Sequence, residues 1–351
     1  MDQLPTPSPV AEERCRQLLG SLPPFPPLAL RLTRLLANQQ ADIREILELL
    51  SADPALSAEL LRRANSAAYG FDSRLDSVQQ CLVVLGFAES ARVALSLATQ
   101  RFAGPAMRSP ELRRCWRHAL VAAVISEEIA KAAGLPPDSA YTAGLLADVG
   151  RLGLFVSEPR IYEQLFAEAA AAGPIDDSEW FLAKERELFG VDHCEAGRWL
   201  AGHWHMPLEL QAVAGRHHDR PKSTEFTIVE AVHCAFRLAD ALGYGVADTV
   251  TTGGFEAILE DLPPRVQAGF WRGPEALRGL AAARLKALEG RQPEPVESEP
   301  ESPEPAAAEE EQAAVSEPPP SHGGWEYGAA TLVVVASLVA ALAIAFWPAA
   351  H

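Results

Sequence analysis

An all-α body is the fold class that residues 20–290 predict, and three observations carry the prediction. Apolar residues recur at spacings of three and four, capping residues and prolines punctuate the chain, and no segment alternates with period two between hairpin turns. Asp42-Ile43-Arg44-Glu45 has the form of a capping box, and Ile43, Ile46, Leu47 and Leu50 then fall on one helical face. Asp53-Pro54 supplies an N-cap followed by proline at the first helical position, launching a helix that turns Leu56, Leu60 and Leu61 inward. That helix should stop near Asn65-Ser66, with Gly70 available for a left-handed turn. Ser77 caps a helix through Leu82, Val83 and Leu85, Gly86 breaks it, and another runs from Ala88 to about Gln100. Longer helices are predicted at 111–133, with Trp116, Leu120, Val124 and Ile125, and at 138–156, separated by the stop Gly134-Leu135-Pro136-Pro137. Residues 250–289 add two amphipathic helices, one with Phe255, Ile258, Leu259 and Leu262, the other with Leu277, Leu280, Leu285 and Leu288.

The 351 residues carry a formal net charge of −17, which argues against a nucleic-acid partner, because polyanion binding needs Lys and Arg to displace counterions. No local basic patch offsets it. Residues 291–351 hold ten glutamates and one arginine, so −9 belongs there and −8 to the first 290 residues. From Arg291 to Gly324 the text is Pro, Glu, Ala and Ser, with eight prolines and neither leucine nor aromatics. Such a segment buries too little apolar surface to repay its ordering entropy, so 291–327 is expected to be a disordered linker with a reach on the order of 90 Å. An uncharged run from Gly328 to Phe346 follows, flanked by Trp325, Tyr327 and Trp347. Its helical length of about 28 Å approaches a bilayer core of roughly 30 Å, which predicts a transmembrane helix at 328–347.

The N-terminus has Asp2, three early prolines and no apolar core of a leader, so the globular part is expected to stay in the cytoplasm, tethered to the inner membrane by a single pass. Ser337, Ala341 and Ala345 are spaced for helix pairing, which allows a homodimer. Five cysteines without a CxxC pair (Cys15, Cys81, Cys115, Cys194, Cys234) read as free thiols in a reducing compartment.

Several short motifs stand in register. Leu22-Pro23-Pro24-Phe25-Pro26, Asp53-Pro54-Ala55-Leu56, Leu61-Arg62-Arg63-Ala64-Asn65 through Tyr69-Gly70, and Leu85-Gly86 come first. Trp116-Arg117-His118, Ala143-Gly144-Leu145-Leu146-Ala147-Asp148-Val149-Gly150-Arg151, Trp204 and Arg216-His217-His218 follow. Together they resemble the bacterial HDOD family over residues 20–245. The resemblance implies a multi-helix bundle related to HD-superfamily metal phosphohydrolases, with an N-terminal helical half at 20–105 and an HD-like half at 106–245. It also implies a regulatory or scaffolding role in signalling, through a protein partner, rather than catalysis. Residues 1–19 then form a leading segment and 246–290 a helical extension.

A hydrolytic metal centre needs three or four His or Asp ligands and an open position. Mapped through the resemblance, the isolated histidine is His118, the His-Asp doublet has become Ala147-Asp148, and the distant aspartate is Asp240. With the doublet histidine replaced and a Gly-Tyr-Pro triplet absent, no catalytic residue, metal or cofactor is expected. Should an ion persist, His118, Asp148 and Asp240 are its candidate ligands. The alternative is a residual metal-dependent phosphohydrolase that recruits His217 or His218 for the lost ligand. Asp148 can pair with Arg151 on a helix face, and His118 also reads as a satisfied core histidine. Six of nine histidines lie between 193 and 233, but His203 and His205 flank a Trp and would point apart on a helix. Asn65 suits the end of a helix and Tyr69 a core position with a partnered hydroxyl.

Overall fold

Prolines and side-chain caps decide where helices begin. A computed structural model describes residues 8–37, 43–65, 75–175, 177–219, 225–248, 254–270 and 273–289. Asp42, Tyr69 and Gly70, the predicted linker at 291–327 and the predicted span at 328–347 lie outside these residues. Among the described residues no helix is long and apolar enough to cross a membrane.

Helix α1 (Pro9–Leu19) lies in the leading segment, and the N-terminal half contains α2 (Pro27–Ala37), α3 (Ile43–Ser51), α4 (Pro54–Ala64), α5 (Val78–Leu85) and α6 (Phe87–Ala103). After a 3₁₀ turn come α7 (Pro110–Ala133), α8 (Pro137–Leu146), α9 (Val149–Ser157), α10 (Pro159–Ala172), α11 (Asp177–Phe189), α12 (His193–His203), α13 (Leu208–Arg216) and α14 (Ile228–Ala239). The extension forms α15 (Gly254–Glu260), α16 (Pro264–Gly269) and α17 (Pro274–Glu289). Eight of these helices start on proline, whose missing N–H costs nothing where no intrahelical acceptor exists. Ser8, Asp53, Ser77 and Ser109 each accept a backbone N–H at a helix start, so the Asp53 and Ser77 caps stand as expected. Beyond the helices, Ile175 donates its N–H to the Asp248 carbonyl at 2.9 Å in an isolated bridge.

The long helix α7 is the spine of the bundle. It packs against α8, α14, α16 and α17, and its residues from His118 to Ile125 are all buried. Phe25, from the Leu22–Pro26 motif, stacks on Trp204 at 5.2 Å, and Phe102 meets the same indole edge-on at 5.2 Å. Both halves are thereby joined through one aromatic cluster. Asn65 closes α4 with its amide: Nδ2 donates to the carbonyls of Leu61 and Leu75 at 2.8 Å, and Oδ1 accepts from Leu75 N–H at 2.7 Å. Its role is structural, as its position at a helix end implies.

Four expectations need correction. The single helix at 138–156 is two, α8 and α9, parted at Ala147-Asp148. Residues 250–289 hold three helices rather than two, because Leu262-Pro263-Pro264 ends one and starts the next. Ile43 faces outward, at 48% exposure, while Leu49 takes the inward place on α3. His205 follows the end of α12 with a left-handed φ of 56°, so it shares no helix with His203, which stacks on Trp199. Gly86 has φ 81°, which is why the α5–α6 break falls on glycine. The extension packs on the body: Leu277, Ala281 and Leu285 are buried, and Arg284 pairs with Glu89 of α6.

Candidate functional site

The α8–α9 break sets Asp148 at the start of α9 with φ −87° and ψ 21°, yet its side chain makes no capping bond. Its carboxylate faces three cationic or imidazole groups instead. Arg151 Nε lies 3.2 Å from Oδ2, while His217 Nε2 and His193 Nε2 lie 3.3 and 3.5 Å from Oδ1. Arg151 is fully buried, its guanidinium 4.8 Å from the Phe181 ring centre and its Nη2 3.4 Å from His193 Nε2. Spacing of i and i+3 brings Asp148 and Arg151 together as expected, but inside the bundle rather than on a solvated face.

Glycine makes this assembly possible. A side chain at Gly150, between Asp148 and Arg151, would collide with the carbonyl of His193 and the backbone of Gly197. Backbone therefore meets backbone between α9 and α12, and His193 is carried to Asp148.

His193 is the first residue of α12. Asp192 caps that helix, accepting from Glu195 N–H at 2.8 Å while Glu195 returns the bond to Asp192 N–H at 3.1 Å. The orphan N–H of His193 donates to Glu185 Oε2 at 2.7 Å, and its Nδ1 meets the same oxygen at 2.6 Å. Tyr162 donates its hydroxyl to the other Glu185 oxygen. This fixes the ring with Nε2 turned to Asp148, the arrangement in which a carboxylate orients an imidazole from behind.

His217 closes α13. Its Nδ1 lies 3.3 Å from the Val213 carbonyl, and its own carbonyl receives His233 Nδ1 at 2.9 Å. The His218 ring is centred 4.3 Å from that of His217 and 5.0 Å from that of His193. One donor atom from each of Asp148, His193, His217 and His218 lies within 4.8 Å of the others.

His118 and Asp240 do not belong to that group. They pair with each other, His118 Nε2 to Asp240 Oδ1 at 3.2 Å. The Phe236 ring packs against His118 at 4.8 Å and against His217 at 4.9 Å. The candidate ligands His118, Asp148 and Asp240 are thus divided, with Asp148 in the larger cluster beside His217 and His218.

Burial opposes charge at Asp148, Glu185, His193 and His218, and partners reverse it at the first three. Asp148 is held well below the usual carboxylate range because Arg151, then the His217 contact, outweigh its burial. Glu185 is lowered against its burial by His193 and Arg151. Burial and the Arg151 charge both work against a proton on His193, but Glu185 prevails and holds it well above the ordinary imidazole value. His218 is pushed well below that value by burial and by its histidine neighbours.

An HD-type relationship implies a metal ion, and the fit can be tested on these groups. As donors the four suit a first-row transition ion, since three imidazoles and a carboxylate converge within its reach. As an electrostatic environment they do not. Arg151 already sets a full positive charge against Asp148 and beside His193 Nε2, where a divalent ion would compete with it at close range in a buried space. With Arg151 in place the residues present do not fit the ion.

Two of these groups are not marked by any of the motifs in register: His193 is one of six histidines between 193 and 233, and Glu185 is one acidic residue among many. Asp192 and Glu195 flanking His193 in capping-box spacing are the readable signal, since they fix His193 at the first turn of a helix. Nothing local points to Glu185, whose role arises from the turn between α11 and α12.

A helical bundle with a buried histidine and aspartate cluster at the head of a broken helix pair defines an HD-like protein. The chain belongs to the HDOD family: the HDOD domain matches residues 22–220. It is similar to an HDOD domain protein of unknown function from Geobacter sulfurreducens, with 23% identity and TM-score 0.60, covering 79% of this chain and 97% of that one. A protein of Shewanella amazonensis SB2B, provisionally named a phosphohydrolase, gives 21% identity and TM-score 0.58 over 78% of this chain and 98% of its own. One of Marinobacter aquaeolei VT8, provisionally named a signal transduction protein, gives 21% and 0.61 over 78% and 66%. At these identities they show the fold. An uncharacterized protein of Treponema pallidum (strain Nichols) is 26% identical over 212 residues, 59% of this chain and 39% of that protein's length.

Proposed function

We propose that this chain is a non-catalytic HDOD module that regulates or scaffolds a signalling protein partner from the cytoplasmic face of the inner membrane. The observation that carries this reading is Arg151: its guanidinium occupies the cluster that a hydrolase would keep open for an ion and water. Ala147 in the doublet position and the pairing of His118 with Asp240, outside the group of four donors, support it further. The purified full-length chain, supplied in turn with Fe, Mn and Zn, is expected to hydrolyse neither phosphodiesters nor nucleotides. Turnover lost on Asp148→Ala would establish the alternative, an HD-type phosphohydrolase.

Tethering rests on the apolar run from Gly328 to Phe346 with its flanking aromatics. Deleting residues 328–351 is expected to release the protein from membranes, and a truncated protein that still sediments with them contradicts the anchor.

A further inference from the structure

We propose that Arg151 is the resident cation of this site and the residue that excludes divalent metal from it. Without the guanidinium, Asp148, His193, His217 and His218 become a binding site for a first-row transition ion such as Co²⁺ or Zn²⁺. The proposal rests on the reading above that Arg151 closes the cluster.

Three observations on independent groups lead to it. The donor set is complete: one carboxylate and three imidazoles present atoms within 4.8 Å of one another, enough for a four-coordinate ion. The donors are also pre-oriented. Glu185 holds His193 through Nδ1 at 2.6 Å, and the Val213 carbonyl lies 3.3 Å from Nδ1 of His217, so both rings turn Nε2 toward Asp148. His218 Nε2 is buried with no hydrogen-bond partner among the described residues. Such preparation is more than a histidine needs merely to fill a core.

Formal charge then explains why the site does not take an ion as it stands. Asp148 and Glu185 supply two negative charges within the buried cluster, answered by Arg151 and by the proton that Glu185 holds on His193, while Asp192 nearby is answered by Arg186. A divalent ion that displaces the His193 proton leaves, with Arg151 in place, an excess of one positive charge in a low-dielectric interior. With the guanidinium removed, the same exchange leaves two negative charges that a divalent ion balances. Like charges a few ångströms apart in such surroundings repel strongly enough that losing one should tighten metal binding by about a hundredfold or more. Arg151→Met suits the test because its thioether chain retains a contact with Phe181.

The experiment uses the full-length chain as wild type, Arg151→Met, and Arg151→Met combined with His193→Gln. Each is stripped with chelator and titrated with Co²⁺, reading bound metal by elemental analysis and ligand geometry by the visible d–d absorption of the ion. The expected result is about one equivalent in R151M, with the intense bands of a tetrahedral site, about a hundredfold weaker binding in the wild type, and loss of the bands when His193 is also replaced. Should R151M be insoluble without metal, Co²⁺ or Zn²⁺ in the refolding buffer is expected to recover it, by the linkage of binding to folding.

Wild-type protein that binds the ion as tightly as R151M overturns the proposal. So does an R151M chain that takes up no ion either folded or during refolding, and so does uptake indifferent to His193→Gln. Metal in the wild type without phosphoester turnover strikes this inference alone. Turnover by a wild-type chain free of metal strikes the regulatory reading alone.

Discussion

His218 and His233 keep their imidazoles neutral in the fold, because burial and, for His218, the flanking His217 and His193 rings lower both below the ordinary 6.5. The unfolded chain therefore binds their protons first as pH falls through about 6.5, and stability falls with it. His193 runs the opposite way. Its folded pKa is raised, so its contribution is complete below about 6.5 and is lost as pH rises toward the folded value. Thermal unfolding followed from about pH 5 to about pH 8.5 should show a maximum near neutrality, and His218→Gln should flatten the acid limb. An acid limb unchanged by that substitution contradicts the assignment. These residues also mark the limit of sequence reading at this scale. Asp148, His217 and His218 were legible because motifs announce them, whereas the environment of His193 is created by Glu185 eight positions earlier and by a glycine on another helix.

Helices α9 and α12 meet through Gly150 and Gly197, and the contact tolerates no Cβ at Gly150. Gly150→Ala must push α9 away from α12 and is expected to cost about 3 kcal/mol, comparable with overpacking a core. Urea denaturation measures the cost, and a loss under about 0.5 kcal/mol would contradict the close approach. Helix α17 presents a different case. Leu277 is fully buried, so Leu277→Ala should remove about 2–5 kcal/mol through lost transfer and a residual cavity. A near-neutral effect in the same measurement would mean that the extension does not pack on the body. Most helix starts were readable, since Asp53, Ser77 and the N1 prolines act within one turn. The α8–α9 break was not: Ala147-Asp148 carries no proline or glycine, and Asp148 meets His217 only across the folded bundle.

At the scale of the whole molecule, all five cysteines are buried and free. Burial pushes Cys15 and Cys234 up to about 12 and Cys194 up to about 11, so none of these three offers a thiolate near neutral pH. The native full-length chain should resist a thiol reagent at about pH 8 and expose five reactive thiols on denaturation. Rapid labelling of the native protein would show that the bundle opens readily. The helical class was legible because capping and 3.6-residue periodicity are local properties. The Phe25–Trp204 stack and the contacts of Phe236 with His118 and His217 were not, because each depends on residues far apart in the chain meeting across the core.

Glu185 answers to two masters with a single atom. Its Oε2 receives both the amide and the ring of His193, so the oxygen cannot leave the imidazole without also uncapping the first turn of α12. Any event that frees the His193 ring from Glu185 therefore frays that helix end in the same motion. Hydrogen exchange at the His193 amide becomes a direct gauge of the site, readable without a ligand, a substrate or a partner.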